Sequence, residues 1–394
     1  MNLTDLPPEV LTFILSYLKG KDLARISLSC TLLRDLSNSG ILWQQRCLKE
    51  FKFTDVEGWS CSFREVYSKV LNNYGFLLGL KRRRTDCYGG LVHITYEKGR
   101  IVAYEYFGKK DIRDNLERIR LFSISFVDGN VNVTWYRRHL DVDVTCTIEK
   151  EDVNGDSFHV QLGDSSHPDR GQIEEVLRRF RAECDLRGMH GMNSLTDQRF
   201  KEIVQSKQVF ERLRMPAITR PFGSQFPIGP GLFKGMYSAH GTELLLLTYD
   251  MEKQKALASK ISGDSNVPAG EVSIEVNLQK PMVLTAEQQQ SHASIRALSP
   301  DDPPPILGED CDTFRQPFHD PTNFGQTDGF DPPTFCLCRY HALGTVSPTG
   351  YTDPQQIPVH FMVFNEDMFG VMWIGLHHFS LYVKVKEQFE TYER

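Results

Sequence analysis

Near Tyr88-Gly89-Gly90 the apolar residues of this chain change period, from helical spacing upstream to strand-like alternation downstream. One pattern cannot serve both elements, because a helix face recurs about every 3.6 residues and a strand face every second residue. The chain is therefore expected to be α+β, with helices at its N-terminal end and an antiparallel sheet after them. Upstream, Leu6-Pro7-Pro8-Glu9 opens a helix: prolines in the first turn need no backbone donor, and Glu9 faces the positive end of the macrodipole. Val10, Leu11, Ile14, Leu15 and Leu18 recur at helical spacing behind it. Gly20-Lys21 ends that helix, Asp22 can cap a second carrying Leu23 and Ile26, and Thr31 a third carrying Leu32, Leu33 and Leu36. Ile41-Leu42-Trp43 then leads into Cys47, Leu48 and Phe51. Helices this short cannot bury so many leucines among themselves, and each one left wet forfeits roughly 1.5–3 kcal/mol. Residues 1–51 are expected to need a partner.

The run LPPEVLTFILSYLKGKDLARISLSCTLLRDL, closed by ILWQQRC, resembles an F-box. The resemblance implies docking onto the Skp1 adaptor, and through it a cullin, with Leu6, Pro7, Val10, Leu11, Ile14, Leu15, Leu18, Leu23 and Trp43 as contact residues. Helical spacing alone is equally compatible with a subdomain packed on its own protein.

Trp59, Phe63, Val66, Tyr67, Val70, Leu71 and Tyr74 form a further helical stripe, read as a rigid connector over 52–82. Beyond it, Leu91–Tyr96 and Ile101–Tyr106 flank a Lys98-Gly99 turn. Phe122–Phe126 and Val131–Trp135 flank Asp128-Gly129-Asn130. Helices are expected near Gln172–Arg187 and over Asp197–Arg214. Strands resume from Gly231 to Val276 and from Phe335 to Val383. Residues 282–333 are rich in Gln, Asp, Pro and Gly without amphipathic period, and are expected to be a disordered insertion. Residues 83–281 and 334–394 are expected to form one antiparallel β-barrel, since closure removes exposed edges.

The 394 residues are 40% hydrophobic and 24% charged, within the range of globular proteins. A net charge of −6 argues against a nucleic-acid partner, and the basic run Lys81-Arg82-Arg83-Arg84 is read as a solvated loop. Nine cysteines without scaffold spacing suggest free thiols in a reducing compartment. No signal region or membrane-length apolar run is evident, so a soluble cytoplasmic or nuclear protein without a membrane partner is expected. No nucleophile elbow, zinc-protease motif, phosphate loop or dinucleotide fingerprint occurs, and no catalytic role is expected.

Downstream, CYGGLVHITYEKG, GPGLFKGMYSAHGTELLLLTYD, ISGDSNVPAGEVSIEVNL and FNEDMFGVMWIGLHHFSLYVKV resemble the F-box only protein 31 family, over most of 1–280 and about 335–394. That resemblance implies a β-barrel substrate receptor taking C-terminal segments of proteins, including cyclin D-type substrates and ends carrying a C-terminal amide. Read from the residues, Ser262–Gly270 is a loop whose Asp264 carboxylate and Asn266 amide can meet a chain end. A carboxylate would accept from an amide and repel a free C-terminal carboxylate, so Asp264 is the candidate for discrimination. The alternative is an Asx-turn in which Asp264 satisfies its own backbone. Lys234, Tyr237, His240 and Trp373 are further candidates for the same mouth, against ordinary packing.

The family also implies a zinc site among His139, Cys146, His159 and His167, but Trp135 stands at one ligand place and no second cysteine is evident. His139 and His167 are therefore weak metal candidates, and no cofactor is expected. Two other readings are open: a lipocalin-like small-ligand barrel with a helical interaction arm, and a hydrolase or thiol enzyme with the helices as an accessory, for which Cys336 and Cys338 are the candidate nucleophiles.

Overall fold

A computed structural model of the chain describes residues 3–138, 141–163, 177–182, 207–216, 228–236, 241–285, 287–289, 295, 315–319 and 333–392. The N-terminal module comprises α1 (Pro8–Ser16), α2 (Gly20–Ile26), α3 (Thr31–Ser37) and α4 (Gly40–Phe51). Helix α4 stops at Lys52, which adopts the left-handed conformation (φ 54°) of a helix C-terminus. The connector begins with a capping box: Ser62 Oγ accepts from the Glu65 amide while the Glu65 carboxylate accepts from the Ser62 amide. It continues through a π-helical stretch, Val66–Leu71, whose Val66, Val70 and Leu71 are fully buried. Helical structure ends at Leu77, short of the boundary at 82 expected from sequence, because Gly79 already opens a strand.

The strands after the connector divide between two closed barrels rather than forming one. The first contains β1 (Gly79–Arg83), β2 (Leu91–Glu97), β3 (Arg100–Phe107), β4 (Glu117–Val127), β5 (Asn130–Arg137), β6 (Val142–Lys150), β7 (Ser157–Leu162) and β8 (Lys207–Arg212). These run as an antiparallel meander closed by β1 against β8, with Arg82 opposite Glu211. The second contains β9 (Gly231–Met236), β10 (Thr242–Asp250), β11 (Lys255–Lys260) and β12 (Val272–Pro281). Two short strands, β13 (Gln316–Pro317) and β14 (Phe335–Cys336), pair beside it. Then β15 (Cys338–Val346), β16 (Gln355–Asn365), β17 (Met368–Trp373) and β18 (His378–Lys384) complete the barrel, β18 pairing with β9. An eight-stranded barrel has an interior about wide enough for side chains to fill. Phe233, Leu245, Val276, Phe361, Phe369, Val371, Trp373 and Tyr382 fill this one.

Three further expectations are corrected. The helix over Asp197–Arg214 is replaced, in its described part, by β8, which puts Gln208 and Phe210 inward and closes the first barrel. The basic run Lys81–Arg84 is not a solvated loop, because Lys81–Arg83 lie in β1. Lys81 is fully buried with its ammonium donating to the carbonyls of Phe76 and Leu78, and Arg83 faces Glu105 at 3.4 Å. The segment 282–333 is ordered in part. Gln316 accepts from the Leu284 amide and donates to the Met282 carbonyl, Gln289 donates to Leu284 and Pro317, and Phe318 packs against Phe364 and Phe379. In the described part of the expected helix Gln172–Arg187, residues 177–182 are helical with Phe180 buried.

One continuous apolar cluster runs from Leu15, Leu23 and Trp43, through Trp59, Val66 and Leu71, to Ile94, Phe122 and Phe210. Docking module, connector and first barrel thus share a core. A second cluster, Leu80, Leu91 and Leu116 with Leu232, Leu244, Leu246 and Ile261, joins the two barrels. No described helix is long and apolar enough to cross a membrane.

Candidate functional site

Helix α1 carries two apolar stripes, although a surface helix of a globular protein ordinarily has one. Leu11 and Leu15 point inward at 1% and 2% exposure, while Val10, Phe13, Ile14 and Tyr17 point outward at 42%, 63%, 38% and 69%. The outward four follow the i, i+3, i+4, i+7 spacing of one face, and the Phe13 and Tyr17 rings meet edge-on at 5.2 Å. Helix α4 adds exposed Ile41 and Leu48, two turns apart on its own face, and Leu28 is exposed after α2.

This geometry divides the expected adaptor-contact residues. Val10, Ile14 and Pro7 are exposed, with Leu6 and Leu18 half-buried. Leu11, Leu15, Leu23 and Trp43 are buried in the module's own core and cannot touch an adaptor as the module stands. Trp43 donates its indole N–H to the Ser37 carbonyl at 2.8 Å and lies 5.0 Å from the Tyr67 ring, tying the module to the connector. Phe13 and Tyr17 were missed because the Leu11–Leu15 stripe alone sufficed to explain a helix. The 10-13-14-17 spacing was the available signal.

The loop after β11 is a seam between barrels. Gly90 N–H donates to the Ile261 carbonyl, Gly263 N–H to Tyr88 and Ala269 N–H to Cys87, at 2.8–3.1 Å. The loop amides of Gly263 and Ala269 are therefore committed to the first barrel rather than offered to a chain end. Asp264 is 2% exposed. Its Oδ1 accepts from the amides of Asn266 and Val267 at 2.6 and 2.8 Å, and its Oδ2 accepts from the Lys260 ammonium at 2.6 Å. The Asx-turn alternative therefore describes Asp264, and its proposed exposure to a ligand is corrected. Lys260 also meets Glu243 at 2.9 Å, giving one buried cation between two carboxylates. Burial holds the Glu243 carboxyl up to about 8, opposed by Lys260 and reinforced by Asp264.

The remaining candidates do not converge on this loop. Asn266 donates to the Ser347 carbonyl at 2.8 Å. Lys234 is buried and donates to the Asp114 carbonyl, and burial lowers its pKa. Trp373 is wholly inside the second barrel, its indole N–H donating to Ser380 Oγ at 3.2 Å. Tyr237, His240, His139 and His167 lie outside the described residues. Among the described residues no group of three or more His, Cys, Asp or Glu is placed to hold a metal. Burial pushes the Cys338 thiol up to about 12 and raises that of Cys336, so neither is a ready nucleophile.

Comparison with known proteins places names on these parts. Residues 3–49, the four helices of the docking module, match the F-box-like family model. Residues 210–388, from the closing strand of the first barrel through the whole second barrel, match the Cyclin D1 binding domain model. F-box only protein 31 of Rattus norvegicus is 24% identical over 457 residues, covering 99% of this chain and 86% of its own length. The Homo sapiens protein of that name is 25% identical over 476 residues, covering 99% and 84%. F-box only protein 31-A of Xenopus laevis is 26% identical over 452 residues, covering 98% and 85%. With an F-box-like match ahead of a Cyclin D1 binding domain match and relatives aligned along nearly its full length, the chain is similar throughout to the F-box only protein 31 proteins.

Proposed function

We propose that this chain is the substrate-recognition subunit of an SCF (Skp1-cullin-F-box) ubiquitin ligase, acting in the cytosol or nucleus without catalytic groups of its own. The outward stripe Val10, Phe13, Ile14 and Tyr17 docks Skp1, and through it a cullin. The barrel region matching the Cyclin D1 binding domain takes the substrate, by a C-terminal segment such as a cyclin D-type tail or an amidated end. The single observation that carries the reading is the second, uncovered apolar stripe on α1, because a nine-residue helix with both faces apolar is left half-satisfied by its own fold. The shared core from α1 to the first barrel supports it too, since it would hold captured substrate at a set distance from the docking face. Tethering raises effective concentration, so modest peptide affinity suffices for modification of a nearby lysine.

The lipocalin-like reading is disfavoured by the aromatic and aliphatic filling of the second barrel, and the thiol-enzyme reading by the buried, raised thiols. The test is co-purification with Skp1, followed by a screen of the complex against peptides with free and amidated ends. A chain that ignores Skp1 would remove the receptor reading. A Skp1 complex blind to chain ends would remove only the C-terminal specificity.

A further inference from the structure

After β18 the chain does not leave the fold. Residues 385–392, outside any helix or strand, run back across the first barrel, with Val385, Glu387, Phe389 and Tyr392 half-buried and Lys386, Gln388, Glu390 and Thr391 exposed. The Phe389 ring sits between His93 and Tyr106, edge-on to both at 5.3 and 5.1 Å. Tyr392 lies edge-on to Tyr96 at 5.9 Å, passes 3.7 Å from where a side chain on Gly79 would begin, and shares a 3.2 Å hydrogen bond with Thr95. The Glu390 carbonyl faces His93 Nε2 at 3.3 Å. The Thr391 carbonyl accepts from the Lys52 ammonium at 2.6 Å, at the residue that ends the docking module. Glu387 accepts from the Leu116 amide. Val385 and Phe389 cover the apolar cluster joining the barrels, while Tyr392 packs on the core shared with the docking module.

This attachment differs from that of the strand before it. Among the described residues, no backbone–backbone hydrogen bond joins 386–392 to either barrel, whereas β18 is laddered on both sides. Val385 N–H donates to the Leu232 carbonyl at 2.9 Å, and beyond it the segment is held by inserted rings and by hydrogen bonds that each involve a side chain, as an aromatic-lined groove holds a peptide. Beside Tyr392, a cleft of about 400 Å³ opens between the strap and the β1–β8 seam, lined in part by Leu80, Arg212 and Met215.

We infer that the face of the first barrel bearing His93, Thr95, Tyr96 and Tyr106 is a peptide groove, occupied in cis by residues 385–392 as a detachable strap. A segment presenting two aromatic side chains three residues apart around an acidic residue has the chemistry to compete for it. The inference rests on the contacts of 385–392 alone and not on Skp1 docking or on the substrate taken, so it stands independently of the proposed function.

The probe is a fluorescein-labelled peptide of sequence 385–392, titrated by anisotropy into the full chain and into full-chain F389A/Y392A, both co-purified with Skp1 if the adaptor is needed for yield. The cis strap competes at an effective concentration of about millimolar. The double variant is therefore expected to bind the peptide at least about tenfold more tightly than the natural chain, and a peptide carrying the same two alanines is expected not to bind. A folded variant that binds no better than the natural chain overturns the inference. If the variant does not fold, a protease site inserted between Lys384 and Val385 allows the strap to be cut after folding. Exchange of the cut strap for labelled peptide supports the groove, and its failure to exchange overturns it.

Discussion

The ammonium of Lys260 lies 2.6 Å from Asp264 and 2.9 Å from Glu243, wholly out of reach of solvent. This contact anchors the loop that joins the barrels, so a residue expected to read substrate is instead part of the seam between them. Removing Asp264 leaves Glu243 as counter-charge to Lys260, so the cost falls short of the ~3–5 kcal/mol of an uncompensated buried charge and is about 1–3 kcal/mol, that of buried groups losing a hydrogen-bond partner. Asp264→Asn is therefore expected to lower stability by an amount of that order, read as a shift in the urea midpoint, with no change in preference between amidated and free peptide ends. Unchanged stability together with altered end preference would return Asp264 to the binding site.

The two stripes of α1 predict opposite phenotypes for the same chemical change. Phe13→Glu and Tyr17→Glu are expected to weaken Skp1 binding by about 2–4 kcal/mol each, as for buried aromatic anchors, while leaving the melting temperature of the chain within a degree or two. Leu15→Glu places a charge in the module's core and is expected to unfold it. Calorimetry alongside pull-down separates these outcomes. Equal melting losses for all three would refute the two-face assignment.

Acid is expected to destabilise the protein through two buried histidines. Burial lowers the pKa of His93, and burial with repulsion from Arg339 and His341 lowers that of His360 well below the usual value. The unfolded chain takes up these protons near pH ~6.5 while the native chain does not. Their contribution is therefore full above that pH and is lost as pH falls below it, by up to ~1.4 kcal/mol per pH unit for each group until the native form also protonates. Unfolding free energies measured between pH 7.5 and 5.5 check this, and His360→Gln is expected to flatten the slope.

Gly344 in β15 accommodates the indole of Trp373: a Cβ there would sit 2.3 Å from the ring and 2.8 Å from Val359. Both neighbours belong to the packed interior of the second barrel, so neither can yield cheaply. Gly344→Ala is expected to cost about 1–3 kcal/mol by overpacking, seen as a fall in melting temperature with quenching changes in Trp373 fluorescence. An unchanged melt would mean that the indole has room to move.

Local chemistry determined much of this protein. The Leu-Pro opening and short leucine-rich helices marked the docking module. Alternation placed the hairpins Leu91–Tyr96 with Ile101–Tyr106 and Phe122–Phe126 with Val131–Trp135, which appear as β2–β3 and β4–β5. Such patterns depend on neighbours a few residues apart, where side-chain spacing and turn formers carry the signal. The tertiary structure decided the rest. Whether Lys207–Arg212 was strand or helix depended on β1, more than a hundred residues away, offering it an edge to close. Whether Lys81 and Asp264 were wet or buried depended on which carbonyls, amides and counter-charges the two barrels brought to them. Which stripe of α1 faced out, and where residues 385–392 came to rest, likewise followed from surfaces assembled by distant segments. Alternation says that a residue has an inside and an outside, and only the packed neighbours determine which is which.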